Sequence, residues 1–182
     1  MSDYREDSLP WLNRLPPYPW TPPPEWAGTP FAIRRVYFEL NRETHGNDKC
    51  ACPACGYPTL PHRANGGYCP LCFWEDDRQD DPWADYENSG PNPGTLNEAR
   101  RSFAVTLCML SLDDSDIPDS TMQLIRSEVW RERQRALCDA YDRLMELSDP
   151  KDIAQQWDII ELLWKQNSSG QARTPNDTPS TP

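Results

Sequence analysis

Cys52-Pro53-Ala54-Cys55 and Cys69-Pro70-Leu71-Cys72 form two matched hooks, and their reading decides what kind of fold the chain adopts. In each hook, two thiols two residues apart let one turn of backbone aim both sulfurs at a single ion. Gly56 to Tyr68 is a thirteen-residue spacer, long enough for a short hairpin that returns the second pair to complete a tetrahedron. Tetrahedral sulfur coordination is what zinc takes in a closed structural site, with no position left for water or substrate. Cys52, Cys55, Cys69 and Cys72 are therefore the expected metal ligands, and structural zinc is the expected cofactor.

Other uses of these cysteines fit less well. Iron in a rubredoxin-like site takes the same ligand set and stays open as the alternative metal. Thioredoxin-like redox chemistry suits a lone Cys-x-x-Cys better than two of them. Disulfides need an oxidising compartment, and the N-terminus, Met1-Ser2-Asp3-Tyr4-Arg5-Glu6-Asp7, is mixed and polar, with no apolar signal region. A reducing, cytoplasmic location is expected instead. Cys50 reads as a free thiol beside the first hook. Cys108 and Cys138 read as small core residues on apolar helical faces. His62 lies in the spacer, where four thiolates already fill the site, so it is expected to be solvated.

Composition narrows the function classes. Apolar residues are 37% and Pro numbers 20 in 182 residues, so part of the chain is not packed core. No stretch approaches the roughly 20 apolar residues that a membrane span needs. The net charge of −11 repels phosphate backbones and attracts basic partners. Arg34-Arg35 is the nearest basic cluster to the hooks, and it is too small to carry duplex binding.

The chain reads in five parts. Residues 1–30 hold eight prolines together with Trp11, Trp20 and Trp26, a composition that runs extended or as polyproline II. Such an arm either wraps the body or docks in a partner's groove, and three exposed tryptophans favour wrapping. Residues 31–48 connect it to the hooks. There Val36, Phe38 and Leu40 alternate like a strand, whereas Ile33, Tyr37 and Leu40 suit a helix turn.

The metal module spans 49–94, with Tyr57–Leu60 and Gly67-Tyr68 as short strands around an Ala64–Gly67 turn. A unit of that size cannot bury enough apolar surface to fold unaided, and metal binding supplies the deficit. Residues 95–165 read as three helices. Thr95-Leu96-Asn97-Glu98 is a capping box that opens a stripe of Leu96, Ala99, Phe103, Leu107 and Leu110, running to about Leu112. Ser120 opens a second helix, with Met122, Ile125, Val129, Ala136, Ala140 and Leu144 inward. Pro150 opens the third, with Ile153, Trp157, Ile160 and Trp164 inward. Residues 166–182 read as a disordered tail. The fold class is α+β: a small zinc-ribbon-like β module followed by a three-helix segment, preceded by an extended Pro/Trp-rich arm.

After the second hook, residues 75–87 carry seven carboxylates against one arginine. This loop reads as a solvated acidic segment or as a surface for a basic protein. Trp74, Glu75, Asp76, Asp77, Asp80, Asp81, Trp83, Asp85 and Tyr86 are the candidate partner-binding residues. A carboxylate cluster that binds magnesium or calcium fits less well, because the loop lacks the glycine-interrupted calcium spacing and no partner base accompanies it.

The run from Cys52 to Arg100 resembles the bacterial cysteine-rich CPCC domain family over roughly residues 50–105. The matching pieces are Cys52-Pro53-Ala54-Cys55-Gly56-Tyr57, Cys69-Pro70-Leu71-Cys72-Phe73-Trp74-Glu75-Asp76-Asp77 and Leu96-Asn97-Glu98-Ala99-Arg100. Ala54 departs from the family's Cys-Pro-Cys-Cys hook at its third position, sparing the four ligands. The resemblance implies a small zinc-ribbon-like module with no enzymatic activity to carry over, often found in toxin–immunity neighbourhoods.

Together these features lead to a cytosolic, zinc-stabilised protein-binding module with no catalytic residues. Its concrete form is an immunity protein, or antitoxin, that neutralises a basic bacterial toxin by direct binding. The alternatives are a nucleic-acid-binding zinc-ribbon regulator, which the charge disfavours, and an enzyme using the acidic loop 75–87.

Overall fold

Thr29 and Pro30 settle the ambiguous segment at its first residue. The Thr29 hydroxyl accepts a hydrogen bond from the Ala32 amide and Pro30 takes the first helical position, so α1 runs Pro30–Leu40. Its inward face is Phe31, Ala32, Arg35, Phe38 and Glu39, a helical spacing. Neither expected set is the buried face, since Leu40, shared by both, is 63% exposed and Ile33 of the helical set is 54% exposed. The computed structural model describes residues 14–45, 48–87, 90–113 and 117–171. Trp11 and the tail from residue 172 onward lie outside them.

The hooks sit in two separate antiparallel hairpins rather than in one. β1 (Cys50–Ala51) pairs with β2 (Pro58–Leu60), and β3 (Gly67–Tyr68) pairs with β4 (Glu75–Asp76). Each hook is the turn of its own hairpin, and the backbone bonds repeat. Cys52 N donates to Tyr57 O at 2.8 Å and Gly56 N to Cys52 O at 2.9 Å. In the second knuckle, Cys69 N donates to Trp74 O at 2.8 Å and Phe73 N to Cys69 O at 2.9 Å.

Among the described residues, four helices follow the hairpins where three were expected. α2 (Leu96–Thr106) starts with both bonds of the Thr95–Glu98 capping box and stops at Leu107, whose left-handed backbone (φ +63°) ends it well before Leu112. Leu110 remains buried, but beyond the helix. Cys108 is likewise buried in this irregular stretch, not on a helical face. The second expected helix divides into α3 (Asp119–Arg126) and α4 (Glu128–Leu144), because Ser127 is extended between them. That break shifts the inward register: Val129 is 58% exposed and Trp130 is buried in its place. α5 (Pro150–Gln171) continues past the expected end at 165.

The chain divides into two compact units, residues 1–131 and 132–182, with the division falling inside α4. In the first unit, the Tyr57 ring lies tilted against Phe38 (6.2 Å) and meets Phe103 edge-on (6.1 Å), while Trp20, Phe31 and Ala32 form one cluster. Cys108, Leu110, Met122, Ile125 and Trp130 form another, against which Phe73 packs. In the second unit, Trp164 Nε1 donates to Tyr141 Oη at 3.0 Å and Gln156 Nε2 to Ala140 O at 2.8 Å, tying α5 to α4. Ile153 and Ile160 are buried on the same stripe.

The arm wraps. Trp20 is 2% exposed, its indole Nε1 donates to Asp81 Oδ2 at 2.8 Å, and Trp26 Nε1 donates to Asn97 Oδ1 at 2.8 Å. Tyr18 Oη donates to the Glu39 carbonyl at 2.9 Å. These anchors fasten residues 18–26 to α1, to the loop after the second hook and to α2.

Candidate metal centre

The two hairpin turns bring their sulfurs into one buried cluster. Cys52 Sγ lies 3.6 Å from Cys72 Sγ and Cys55 Sγ lies 3.9 Å from Cys69 Sγ, and all four sulfurs lie within 4.8 Å of one another. None of the four residues is exposed. A tetrahedron with metal–sulfur bonds of about 2.3 Å has edges of about 3.8 Å, so these separations fit a single ion. They do not fit disulfides, whose sulfurs bond at about 2.05 Å, and all seven cysteines are free thiols. The four cysteines are positioned to bind a metal ion.

Charge in the cluster is arranged for a cation. Burial drives the thiols of Cys55 and Cys72 well above their ordinary range. Burial presses Cys69 the same way, but hydrogen bonds from Cys52, Cys55, Cys72 and Thr59 outweigh it and hold Cys69 well below. Thr59 Oγ1 is 2.9 Å from Cys69 Sγ and the Cys72 amide donates to the same sulfur at 3.5 Å. A divalent ion would complete such a cluster, each bound sulfur shedding its proton. With four protein ligands the shell is closed, which suits an architectural metal and leaves no place for substrate. Cys50 lies outside the cluster, half-buried in β1, and His62 is exposed.

Two arginines clasp the first hook from outside. Arg34 donates through Nε and Nη2 to the Cys55 carbonyl at 3.3 Å, and Arg100 Nε donates to the Pro53 carbonyl at 3.0 Å. They satisfy main-chain acceptors that the tight turn leaves unpaired and fix the turn to α1 and α2.

The acidic loop turns part of its charge inward: Asp76 and Asp80 are buried and Asp81 is half-buried. Asp80 receives a bidentate pair from Arg35 (Nη1 to Oδ1 at 2.8 Å, Nη2 to Oδ2 at 2.6 Å) and a further bond from Arg63 Nη2 at 2.7 Å. Asp76 Oδ2 accepts from Arg63 Nε at 2.9 Å and from the Ala64 amide at 2.7 Å. Asp81 receives Arg100 through Nη1 (3.1 Å) and Nη2 (2.8 Å). Glu39 completes the group on Arg35 Nε at 2.9 Å, and the Trp20 ring lies 4.3 Å beneath the Arg35 guanidinium. Burial alone would raise the Asp80 carboxyl; Arg35 and Arg63 overcome it and hold Asp80 well below the usual carboxylate range.

This placement corrects the proposed partner surface. Trp74, Asp76 and Asp80 are buried, the two carboxylates beneath Arg35 of α1 and Arg63 of the loop between the hairpins. Glu75, Asp77, Asp81 and Trp83 are half-buried, and Asp85 and Tyr86 are exposed. Sequence reading missed Arg35, Arg63 and Arg100 as partners of these carboxylates. A signal was present in α1, where Arg35 falls on the same helical stripe as Phe31 and Phe38, with Glu39 four residues on.

No helix among the described residues is long and apolar enough to cross a membrane. No curated protein and no solved structure matches the chain. Residues 50–110 match the model of the cysteine-rich CPCC family. That span holds both knuckles, the carboxylate loop, α2 and the stretch whose Met109 amide donates to the Cys72 carbonyl at 2.7 Å. The four-sulfur centre, with the loop and helix that brace it, thus lies within the segment that is similar to the cysteine-rich CPCC family.

Proposed function

We propose that the chain is a zinc-stabilised protein-binding module of the cytosol, and that it acts as an immunity protein neutralising a basic bacterial toxin by direct contact. Zinc is the metal that best suits four thiolates in a closed, redox-silent shell. The observation that carries the binding role is the distribution of charge. Arg35, Arg63 and Arg100 face Glu39, Asp76, Asp80 and Asp81, so the buried network holds one net negative charge. Ten of the eleven net negative charges therefore lie elsewhere in the chain. Asp85, Tyr86 and Glu87 are exposed together beside the network, an aromatic between two carboxylates. Such a rim steers a basic protein and speeds its encounter.

The test is co-expression with the product of the neighbouring gene, followed by purification and a growth assay. A stable complex, growth rescue and an association rate that falls with salt are expected. Reversing Asp85 and Glu87 to Lys slows association by about tenfold or more at low salt, while metal content is unchanged. A neighbour that neither binds nor is rescued removes the immunity role.

A further inference from the structure

The arm, α1 and the first hairpin line a cavity of about 330 Å³, open to solvent on one side, that belongs neither to the metal centre nor to the acidic rim. Its size is that of a small-ligand pocket, roughly 300 Å³ upward. Much of its lining is apolar: Pro17 and Tyr18 from the arm, Phe38 from α1 and Ala51 from β1. Cys50, the spare thiol of the sequence, also lines it, as a small polarisable wall residue. Arg42 and Arg63 contribute the positive charge.

The electrostatics of this lining run against the rest of the chain. Glu39 is the one carboxylate on it, and both its oxygens are taken, Oε1 by Arg35 Nε at 2.9 Å and Oε2 by the Trp20 amide at 2.6 Å. Arg42 has no carboxylate partner among the described residues. Its Nη2 donates to the main-chain carbonyl of Asp48, which leaves its charge uncancelled. Arg63 commits Nε to Asp76 and Nη2 to Asp80, while Nη1 has no acceptor among the described residues. A guanidinium pinned at two nitrogens presents its third as a preorganised donor.

We propose that this cavity binds a small organic monocarboxylate with an apolar or aromatic body. The carboxylate meets Arg42 and Arg63, and the hydrocarbon packs on Phe38, Ala51 and the Pro17-Tyr18 strap. A single negative charge matches the one uncancelled guanidinium; a phosphate dianion would bring a second charge toward Glu39, Asp76 and Asp80. The apolar wall would find nothing to cover on an inorganic ion. The inference is independent of the partner assigned to the acidic rim.

The experiment is calorimetric titration of the metal-loaded full chain with 3-phenylpropionate and with hexanoate, against 3-phenylpropionamide and inorganic phosphate. Saturable binding of the two acids is expected, with the amide and phosphate weaker by roughly ten- to hundredfold, the range for a charge-assisted hydrogen bond. Arg42→Ala lies outside the buried ion-pair network. It is expected to weaken acid binding by a similar factor and to leave the thermal midpoint in place. Cys50→Phe, which fills the cavity, is expected to abolish binding and retain the metal. Three outcomes overturn the proposal: neither acid binding at millimolar concentration, acid and amide binding equally, or Arg42→Ala binding like the parent.

Discussion

Gly56 and Phe73 occupy the same position in the two knuckles, with φ +81° and +74°, yet only Phe73 has room for a side chain. A Cβ on Gly56 would stand 3.0 Å from the Phe31 carbonyl oxygen and 3.2 Å from the Arg35 nitrogen. The backbone of α1 lies directly on the first knuckle there. In the second knuckle the Phe73 ring stacks on Tyr68 at 6.0 Å and faces Trp130 at 5.9 Å. Local strain at Phe73 is thus offset by packing, and the first knuckle gives up its side chain to admit a helix.

Gly56→Ala combines a left-handed backbone with a clash against main-chain atoms that cannot swing away. Its cost is expected to exceed the roughly 1–2 kcal/mol of an ordinary left-handed alanine. Urea unfolding with metal present measures it, and a loss under 1 kcal/mol would mean that α1 moves aside.

Cys69→Ser removes the sulfur that gathers the most hydrogen bonds in the cluster. Small zinc sites draw about 10–16 kcal/mol from metal binding, so this variant and chelator treatment should both unfold residues 50–110. Elemental analysis should find one bound ion in the parent and none in the variant. A variant that keeps native near-ultraviolet dichroism without metal would show that the sulfur cluster is dispensable.

Asp80→Asn leaves Arg35 with Glu39 alone and Arg63 with Asp76 alone, at an expected cost of about 3–5 kcal/mol. The parent's pH dependence follows from the direction of the Asp80 shift. Its folded carboxyl titrates below the unfolded one, so the stabilisation is complete above the unfolded value, about 3.9, and is lost as pH falls further. The parent's unfolding free energy should drop below about pH 4, and Asp80→Asn should drop less steeply there. Equal slopes would remove Asp80 as the acid-labile group.

Trp20→Ala empties the slot between Arg35 and Asp81 and should cost about 3–5 kcal/mol. The arm should then be cut between residues 14 and 29 by a protease at a dilution that leaves the parent intact. If cleavage is unchanged, Trp26 and Tyr18 hold the arm without it.

The ligand set was legible because its determinants are local. A Cys-x-x-Cys turn needs only its own residues to aim two sulfurs, and the Thr95–Glu98 box needs only three intervening bonds. Thr29-Pro30 would have identified α1 on the same ground, had its start signal been weighed above the Val36-Phe38-Leu40 alternation. The break at Ser127 is also short-range, but nothing in Arg126-Ser127-Glu128 marks it, and the buried register moved from Val129 to Trp130.

Sequence by itself determined the α+β class, the four sulfurs, the helix starts at Thr95 and Pro150, and the excess negative charge. Tertiary structure alone decided which acids face water. Asp80 meets Arg35 across 45 residues, and Asp81 meets Trp20 across 61. Pairing at such distances depends on where α1, α2 and the arm come to rest. A carboxylate-rich stretch looks the same on paper whether solvent or guanidinium neutralises it, because burial is a property of the packed chain.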